Sequence, residues 1–487
     1  MNTTAEPAEP GVVATGNLRQ TLGTWNVILM VIAAAAPMAA VIGIVPVAFG
    51  LGNGAGVPVT FVGVTLVLAL FSVGYSAMSR RIVSTGAFYS YVVQGLGGII
   101  GLGAAFIAVV SYIVFISGAV GYVAYFSRTA VIQVAGWDGS WVLYAVIGGL
   151  VVAVLGYRRI DFSSKVIAVL LAGEFAILLC LVVSVIIHLG WQAFPIGSFS
   201  TGAATSGTPG IAVMLAFTCF IGFESAALYS EETRDPRRTV ARATFGSVAV
   251  IGGFYILTSW VTVGAVGADH IVDTATQSTG TMYFDLTAAY LAPWVADVMA
   301  VLMATSLFAT TLSIHNVASR YLFALGRQHC LPRSLGRVHG RHGSPHLASA
   351  VVSTVTAVIV LACAAMSIDP LVGLGTVGIG FGTVGIIALQ CLASLAVFGY
   401  FRRVKSTPGF ATVVAPLVAF AGLGFALYLA VEKFELLSGA TNAFVNALPT
   451  LLLVTFAAGA CYATWLRTKR RAHYLRITEL MTTTPQS

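Results

Sequence analysis

Charge is what this chain has least of. Only 9% of its 487 residues are charged, 25 basic and 17 acidic, whereas a water-soluble protein devotes roughly a quarter of its sequence to charge. So few charges cannot solvate the outside of a soluble body, which excludes the two to four soluble domains that the length would otherwise suggest. Cysteine chemistry is the second lack. Cys180, Cys219, Cys363, Cys391 and Cys461 fall in apolar runs and Cys330 in a polar loop, none at metal-ligand spacing. They read as small buried hydrophobes, and no metal or cofactor is expected. The third lack is a secretory leader: residues 1–18 carry Glu6 and Glu9 but no charged n-region with a cleavage site. This segment is expected to be a disordered cytosolic tail. Enzyme motifs are missing as well. There is no H-E-x-x-H, no glycine-flanked serine with a base and no phosphate loop, so an intramembrane enzyme lacks its parts.

What is present is apolar length. Apolar residues make up 58% of the chain, and the mean hydropathy is +0.92. An α-helix crosses the hydrocarbon core in about 20 apolar residues. Runs of that length fall near 24–49, 57–78, 97–126, 140–157, 163–188, 209–230, 246–266, 293–320, 347–367, 371–399, 411–431 and 442–465. They are continuously apolar, without the ten-residue alternation of a barrel strand, so twelve helices are expected.

The basic residues predict orientation. With both termini inside, the cytosolic segments hold Arg19, Arg80, Arg81, Arg158, Arg159 and Lys165, then Arg234, Arg237, Arg238 and Arg242. Arg320, Arg327, Arg333, Arg337 and Arg341 follow span eight. Arg402, Arg403 and Lys405 come next, and the tail carries Arg467, Lys469, Arg470, Arg471 and Arg476. That is 23 of the 25 basic residues; Arg128 and Lys433 are the exceptions. This is the positive-inside bias of a membrane protein. The net charge of +8 therefore reads as topology plus attraction to anionic lipid headgroups, and no nucleic-acid partner is expected.

Four segments depart from plain apolar helix. Span one carries Pro37 in mid-membrane among small residues, either a simple kink or a point of close approach by backbone or ligand. Span six carries Glu224 two residues after Gly222. A charge at that depth costs at least about 2.5 kcal/mol, so it should face a cavity or a partner helix. Interruptions in spans one and six, five helices apart, are the sign of an inverted-repeat transporter with its site at the midplane. Glu174 in span five is the second intramembrane carboxylate. The pair could carry protons, a metal cation or an amine, or latch helices together. In span ten, six glycines from Gly373 to Gly385 read as close helix packing, with a flexible gate as the alternative. Thr305, Ser306, Thr310, Thr311 and Ser313 in span eight offer hydroxyls to a sodium ion or to their own backbone. Tyr112 in span three either lines the pathway or packs.

Motifs sharpen this reading. Phe220-Ile221-Gly222-Phe223-Glu224-Ser225-Ala226 is followed by Glu231-Glu232-Thr233 and Asp235-Pro236-Arg237-Arg238. Ser84-Thr85-Gly86-Ala87-Phe88-Tyr89-Ser90-Tyr91 leads to Gly97 and Gly101. Ala324-Leu325-Gly326-Arg327, Leu331-Pro332 and Gly343-Ser344-Pro345 follow span eight. Together these stretches resemble the amino acid–polyamine–organocation (APC) transporter superfamily. The resemblance implies a LeuT-like core of two inverted five-helix repeats with broken helices one and six. Residues 19–405 would form that core, 406–466 the peripheral spans eleven and twelve, and 467–487 a basic cytosolic tail.

The resemblance also implies roles. Backbone N–H groups from Ala35 through Ala36, Pro37, Met38, Ala39 and Ala40 would receive a substrate carboxylate. Carbonyls near Phe217, Cys219 and Ile221 would receive an ammonium, and Phe220 and Tyr112 are counted with the substrate-binding residues. Glu224 matches a proton-linked gate of some relatives. Glu174 stands where many proton-coupled relatives place a lysine, and Ala36-Pro37-Met38-Ala39 where many have a glycine-rich tripeptide. The expectation is a plasma-membrane permease of small amino acids working by alternating access, coupled to H+ or Na+. A polyamine or amine carrier is the alternative, and a non-transporting sensor on the same fold a third.

Overall fold

The computed structural model describes residues 23–82, 87–158, 164–226, 233–278, 280–340, 343–435 and 443–482. The N-terminal tail at 1–18, Arg19, the Ser84-Thr85-Gly86 start of one motif, Arg159, Glu231, Glu232 and Arg341 lie outside the described residues. Every extended regular element among the described residues is helical, and twelve helices are long and apolar enough to cross a membrane.

Several spans differ from simple apolar rods. Span one is two helices, Thr24–Ala35 and Pro37–Gly43. Span three, Gly98–Ala135, has 38 residues, about 57 Å at 1.5 Å per residue, so it stands well clear of a bilayer core. Span six ends its regular helix at Cys219. Span ten begins with wide turns at Pro370–Thr376 before Val377–Arg403. Short helices occupy connections that hydropathy leaves blank: Ala87–Leu96 before span three, and Ile271–Gln277 and Met282–Tyr290 before span eight. The basic tail carries a helix of its own, Arg471–Thr482.

The spans interlock at a fixed interval. Span two packs on span seven, three on eight, and four on nine, while spans one and six touch at their interruptions. Two interleaved five-span repeats produce this pairing. Spans eleven and twelve lie outside it, the first against spans two and ten and the second against span three. Because successive spans alternate in direction, Arg80, Arg158, Arg238, Arg327, Arg402 and Lys469 all end on one face of the bundle. Arg128, at the other end, pairs with Asp138 at 2.6 Å.

Span three is the spine. The span-ten glycines serve packing here, because a Cβ on Gly378 would fall 2.9 Å from Gly118 Cα, and one on Gly382 would fall 2.6 Å from Phe115 Cβ. Gly118 in turn faces the Ile379 backbone nitrogen, at 2.7 Å from where its Cβ would be. Small residues let two backbones meet where lipid supplies no hydrophobic drive between helices. A Gly118→Leu substitution is expected to separate spans three and ten and destabilise the protein by about 1–3 kcal/mol or more. Gly149→Leu, whose Cβ meets nothing within 4 Å, is expected to leave thermal unfolding in detergent unchanged.

Candidate substrate site between the two broken helices

The break in span one follows from local chemistry. Pro37 has no backbone N–H and disfavours helical geometry in the residue before it. Ala36 takes the left-handed conformation, φ 44° and ψ 67°, unusual for a residue with a Cβ. Its N–H bonds back to Ala33 O at 3.3 Å, and helix resumes with Ala40 N–H to Ala36 O at 2.9 Å. The freed carbonyl of Ala33 also accepts from the Thr310 hydroxyl of span eight at 3.0 Å.

Span six unwinds opposite this point. Phe220 N–H and Ile221 N–H close tight turns onto Phe217 O and Thr218 O at 3.0 and 3.1 Å, and Gly222 reaches φ 112°. Glycine is required twice over. Its φ is open only to a residue without a Cβ, and a Cβ there would lie 2.7 Å from the Ala34 carbonyl carbon and 2.9 Å from Ala35 N. The two interruptions are thus in direct backbone contact.

Each intramembrane glutamate braces one of them. Glu224, 1% exposed, accepts the Gly222 N–H on Oε2 at 3.0 Å and the Tyr112 hydroxyl on Oε1 at 2.8 Å. Glu174, 3% exposed, accepts the Ser306 hydroxyl at 2.8 Å. The Met38 backbone N–H, in the first turn of the second half-helix of span one, lies against the same carboxylate. The Cys219 carbonyl accepts from Tyr255 OH at 2.9 Å.

Between the breaks is a cavity of about 50 Å³. Ala35, Ala36, Ala39 and Ala40 of span one face it, with Thr218, Cys219 and Ile221 of span six. Phe115, Ala119 and Tyr122 of span three, Leu307 and Thr310 of span eight, and Ile379 of span ten complete much of its wall. A second cavity of about 270 Å³ shares Ile44, Tyr122, Thr218 and Ile379 with the first. It extends past Leu51 and Leu371 toward the arginine-poor end. Tyr122 OH and Thr376 Oγ1, 3.2 Å apart, stand at the boundary.

Toward the arginine-rich end the path is filled. Tyr112 stacks on Tyr321 at 5.3 Å, Tyr321 approaches Tyr89 at 6.0 Å, and Phe223 meets Phe71 edge-on at 5.8 Å. Tyr89 OH donates to Gln328 Oε1 at 3.0 Å.

Of the residues singled out in the sequence, Ala35, Ala36, Ala39, Ala40, Cys219, Ile221, Thr310 and Thr311 line the cavity. Pro37, Met38, Phe217, Phe220, Tyr112, Glu174 and Glu224 are not among its lining residues; Glu224 is bonded to Tyr112 and the span-six turn, and Glu174 to Ser306 beside the second half of span one. Phe115, Ala119, Tyr122, Leu307 and Ile379 carried no signal, because in an apolar helix a cavity-facing residue reads like a lipid-facing one.

Gly222→Ala should be among the most damaging single-methyl changes in the protein. A left-handed penalty of about 1–2 kcal/mol adds to overpacking of about 1–3 kcal/mol. Gly253→Ala, with nothing within 4 Å of its Cβ, should be silent in the same thermal-unfolding measurement.

Comparison with known proteins agrees with this architecture. Residues 22–458 match the amino acid permease family. The branched-chain amino acid permease BcaP of Bacillus subtilis is 22% identical over 348 residues, 66% of this chain and 71% of that protein. BcaP of Lactococcus lactis is 24% identical over 59% of this chain and 64% of its own length. An uncharacterized transporter of Mycobacterium tuberculosis is 28% identical over 37% of this chain, a match spanning 38% of that transporter. The family consists of membrane carriers, so a transporter reading stands and an enzyme reading falls. With nearly its whole length matched and both helix breaks in place, the chain belongs to the amino acid permease family of the APC superfamily.

Proposed function

We propose that this protein carries a small aliphatic α-amino acid across the plasma membrane by alternating access, with its arginine-rich face in the cytosol. The cavity between the two backbone breaks carries this reading. No charged side chain lines it among the described residues, and Phe115, Leu307 and Ile379 offer an apolar seat for a side chain. Relatives named as branched-chain amino acid permeases support the same substrate class. The α-carboxylate would meet the Ala39 N–H in the first turn of the Pro37–Gly43 half-helix, where the helix dipole favours an anion. The ammonium would meet the carbonyl of Ile221.

In this reading the aromatic layer around Tyr112 and Tyr321 is the closed inner gate, and the larger cavity is the outer vestibule. Glu224 is the gating residue, because its bonds to Tyr112 and the Gly222 N–H tie the gate to the unwound segment. Glu174 is the coupling residue for H+ or Na+, because it contacts both span eight and the second half of span one. One observation favours the second reading, an amine carrier: the protein's own Glu174 carboxylate already lies at the Met38 N–H, a group that a substrate carboxylate would use.

Uptake into proteoliposomes separates the two. Leucine, valine, alanine and putrescine should be compared with and without an imposed proton or sodium gradient, for the wild type and Glu174→Gln. Leucine uptake unaffected by excess putrescine is expected. The variant should lose gradient stimulation by about tenfold while its leucine Kd shifts by less than about threefold. Putrescine uptake that disappears in Glu174→Gln would establish the amine carrier instead. A second check is Ala119→Leu, which fills a small cavity and should weaken leucine binding by more than about tenfold, equivalent to 1.4 kcal/mol, while leaving alanine less affected.

A further inference from the structure

Behind the wall of the substrate cavity lies a separate space of about 310 Å³, walled by spans three, four, eight and nine. It shares no lining residue with the substrate cavity or with the larger cavity beyond it. Ile116 and Val120 of span three face it, one residue on from Phe115 and Ala119, which face the substrate cavity. On span eight His315 faces it, one helical turn beyond Thr311. The same turns of spans three and eight therefore separate the two cavities.

Most of this second wall is apolar, with Ala145, Val152 and Val360 among its buried members. Polar side chains interrupt it at one place. His315, 1% exposed, has its Nε2 at 2.9 Å from Ser353 Oγ of span nine. Gly156 of span four makes room for the ring, since a Cβ there would lie 2.6 Å from His315 Cε1. The other ring nitrogen, Nδ1, has no partner. Thr356, 7% exposed, also lines the cavity, and its hydroxyl is unpartnered too. Ser353 and Thr356 are three residues apart on one helix and so share a face, which sets the free hydroxyl one turn from the imidazole. Buried polar atoms without partners are costly. A space of this size with apolar walls and a few placed polar groups is how small-molecule sites are built.

The surroundings identify the occupant. Val146 and Leu150 of span four and Leu361 of span nine line the cavity and are themselves exposed. Its mouth therefore opens between two membrane spans, toward hydrocarbon. Apart from His315 no ionisable side chain lines it among the described residues, so a charged headgroup would find no counter-ion at this depth. A neutral hydroxyl both donates and accepts, which suits a threonine hydroxyl and an imidazole together.

We propose that this space is a second ligand site, which takes an uncharged, hydroxyl-bearing amphiphile such as a monoacylglycerol from the bilayer. Its chain lies against the apolar wall and its hydroxyl meets Thr356 and His315. An occupant would bear on the turns of spans three and eight that also wall the substrate cavity. The binding claim is independent of what the protein transports.

The test uses the full-length protein in lipid nanodiscs with a long-chain alcohol carrying a diazirine, and maps the photolabelled residues by mass spectrometry. Saturable labelling within 145–153 and 353–361 is expected, suppressed at least about tenfold by excess monolauroylglycerol but not by dodecane. Gly149 lines the cavity, and a Cβ on it meets nothing within 4 Å. Gly149→Leu therefore intrudes into the space without disturbing the fold, and should cut labelling by about tenfold. Gly253→Leu, on span seven and equally free of clashes, should leave labelling unchanged. Thr356→Val should weaken competition by monolauroylglycerol by about fivefold. Equal labelling in the wild type and Gly149→Leu, or labelling that never saturates, is lipid contact alone and would overturn the site. Equal competition by dodecane, or no effect of Thr356→Val, would overturn the hydroxyl assignment. A dimer in native mass spectrometry that Gly149→Leu dissolves, without a bound amphiphile, would overturn the site in favour of a second copy at the cavity mouth.

Discussion

The contact between the Ala34–Ala35 peptide and Gly222 governs the centre of this protein. Two membrane helices are interrupted at one place, and the interruptions touch backbone to backbone. In a bilayer, an unwound segment survives only if its polar groups find partners inside the protein. Those partners are supplied from four other spans. Thr310 takes the Ala33 carbonyl and Tyr255 the Cys219 carbonyl. Glu224, held by Tyr112, takes the Gly222 N–H, and Ser306 positions Glu174 beside the Met38 N–H. The alanines of span one matter for what they lack, since larger side chains would fill the space that the breaks create.

The two intramembrane carboxylates have separate bonding partners, on separate halves of this arrangement. Glu224 belongs to the span-six turn and reaches toward the aromatic layer. Glu174 belongs to spans five and eight and reaches the resumed half of span one. Neither lines the cavity, so its wall is neutral and any charge on a ligand would first meet backbone dipoles. A carboxylate that can change its bonds without touching the ligand is well placed to link an ion to movement of a half-helix.

Around this centre the frame is rigid by close packing. Span three runs the full depth of the molecule and meets spans four, eight, ten and twelve. Its glycines and those of span ten set the distance between backbones, and the same span contributes Phe115, Ala119 and Tyr122 to the cavity and Tyr112 to the aromatic layer. Scaffold and site therefore share one helix.

The sequence by itself determined the solvent, the twelve spans, the clustering of arginines at alternate span ends, and the places where spans one and six break. These follow from local rules: about 20 apolar residues to cross lipid, a proline without an N–H at 37, a glycine beside a buried glutamate at 222–224. Tertiary structure decided which residues face the cavity, what the glutamates bond to, and that the tail at 471–482 is a helix seated on Gly98. Hydropathy could not supply these, because lipid makes every face of a spanning helix apolar and so erases the contrast that marks an inward side in water. Only the packed neighbours distinguish Phe115, turned to the cavity, from Leu66, turned outward.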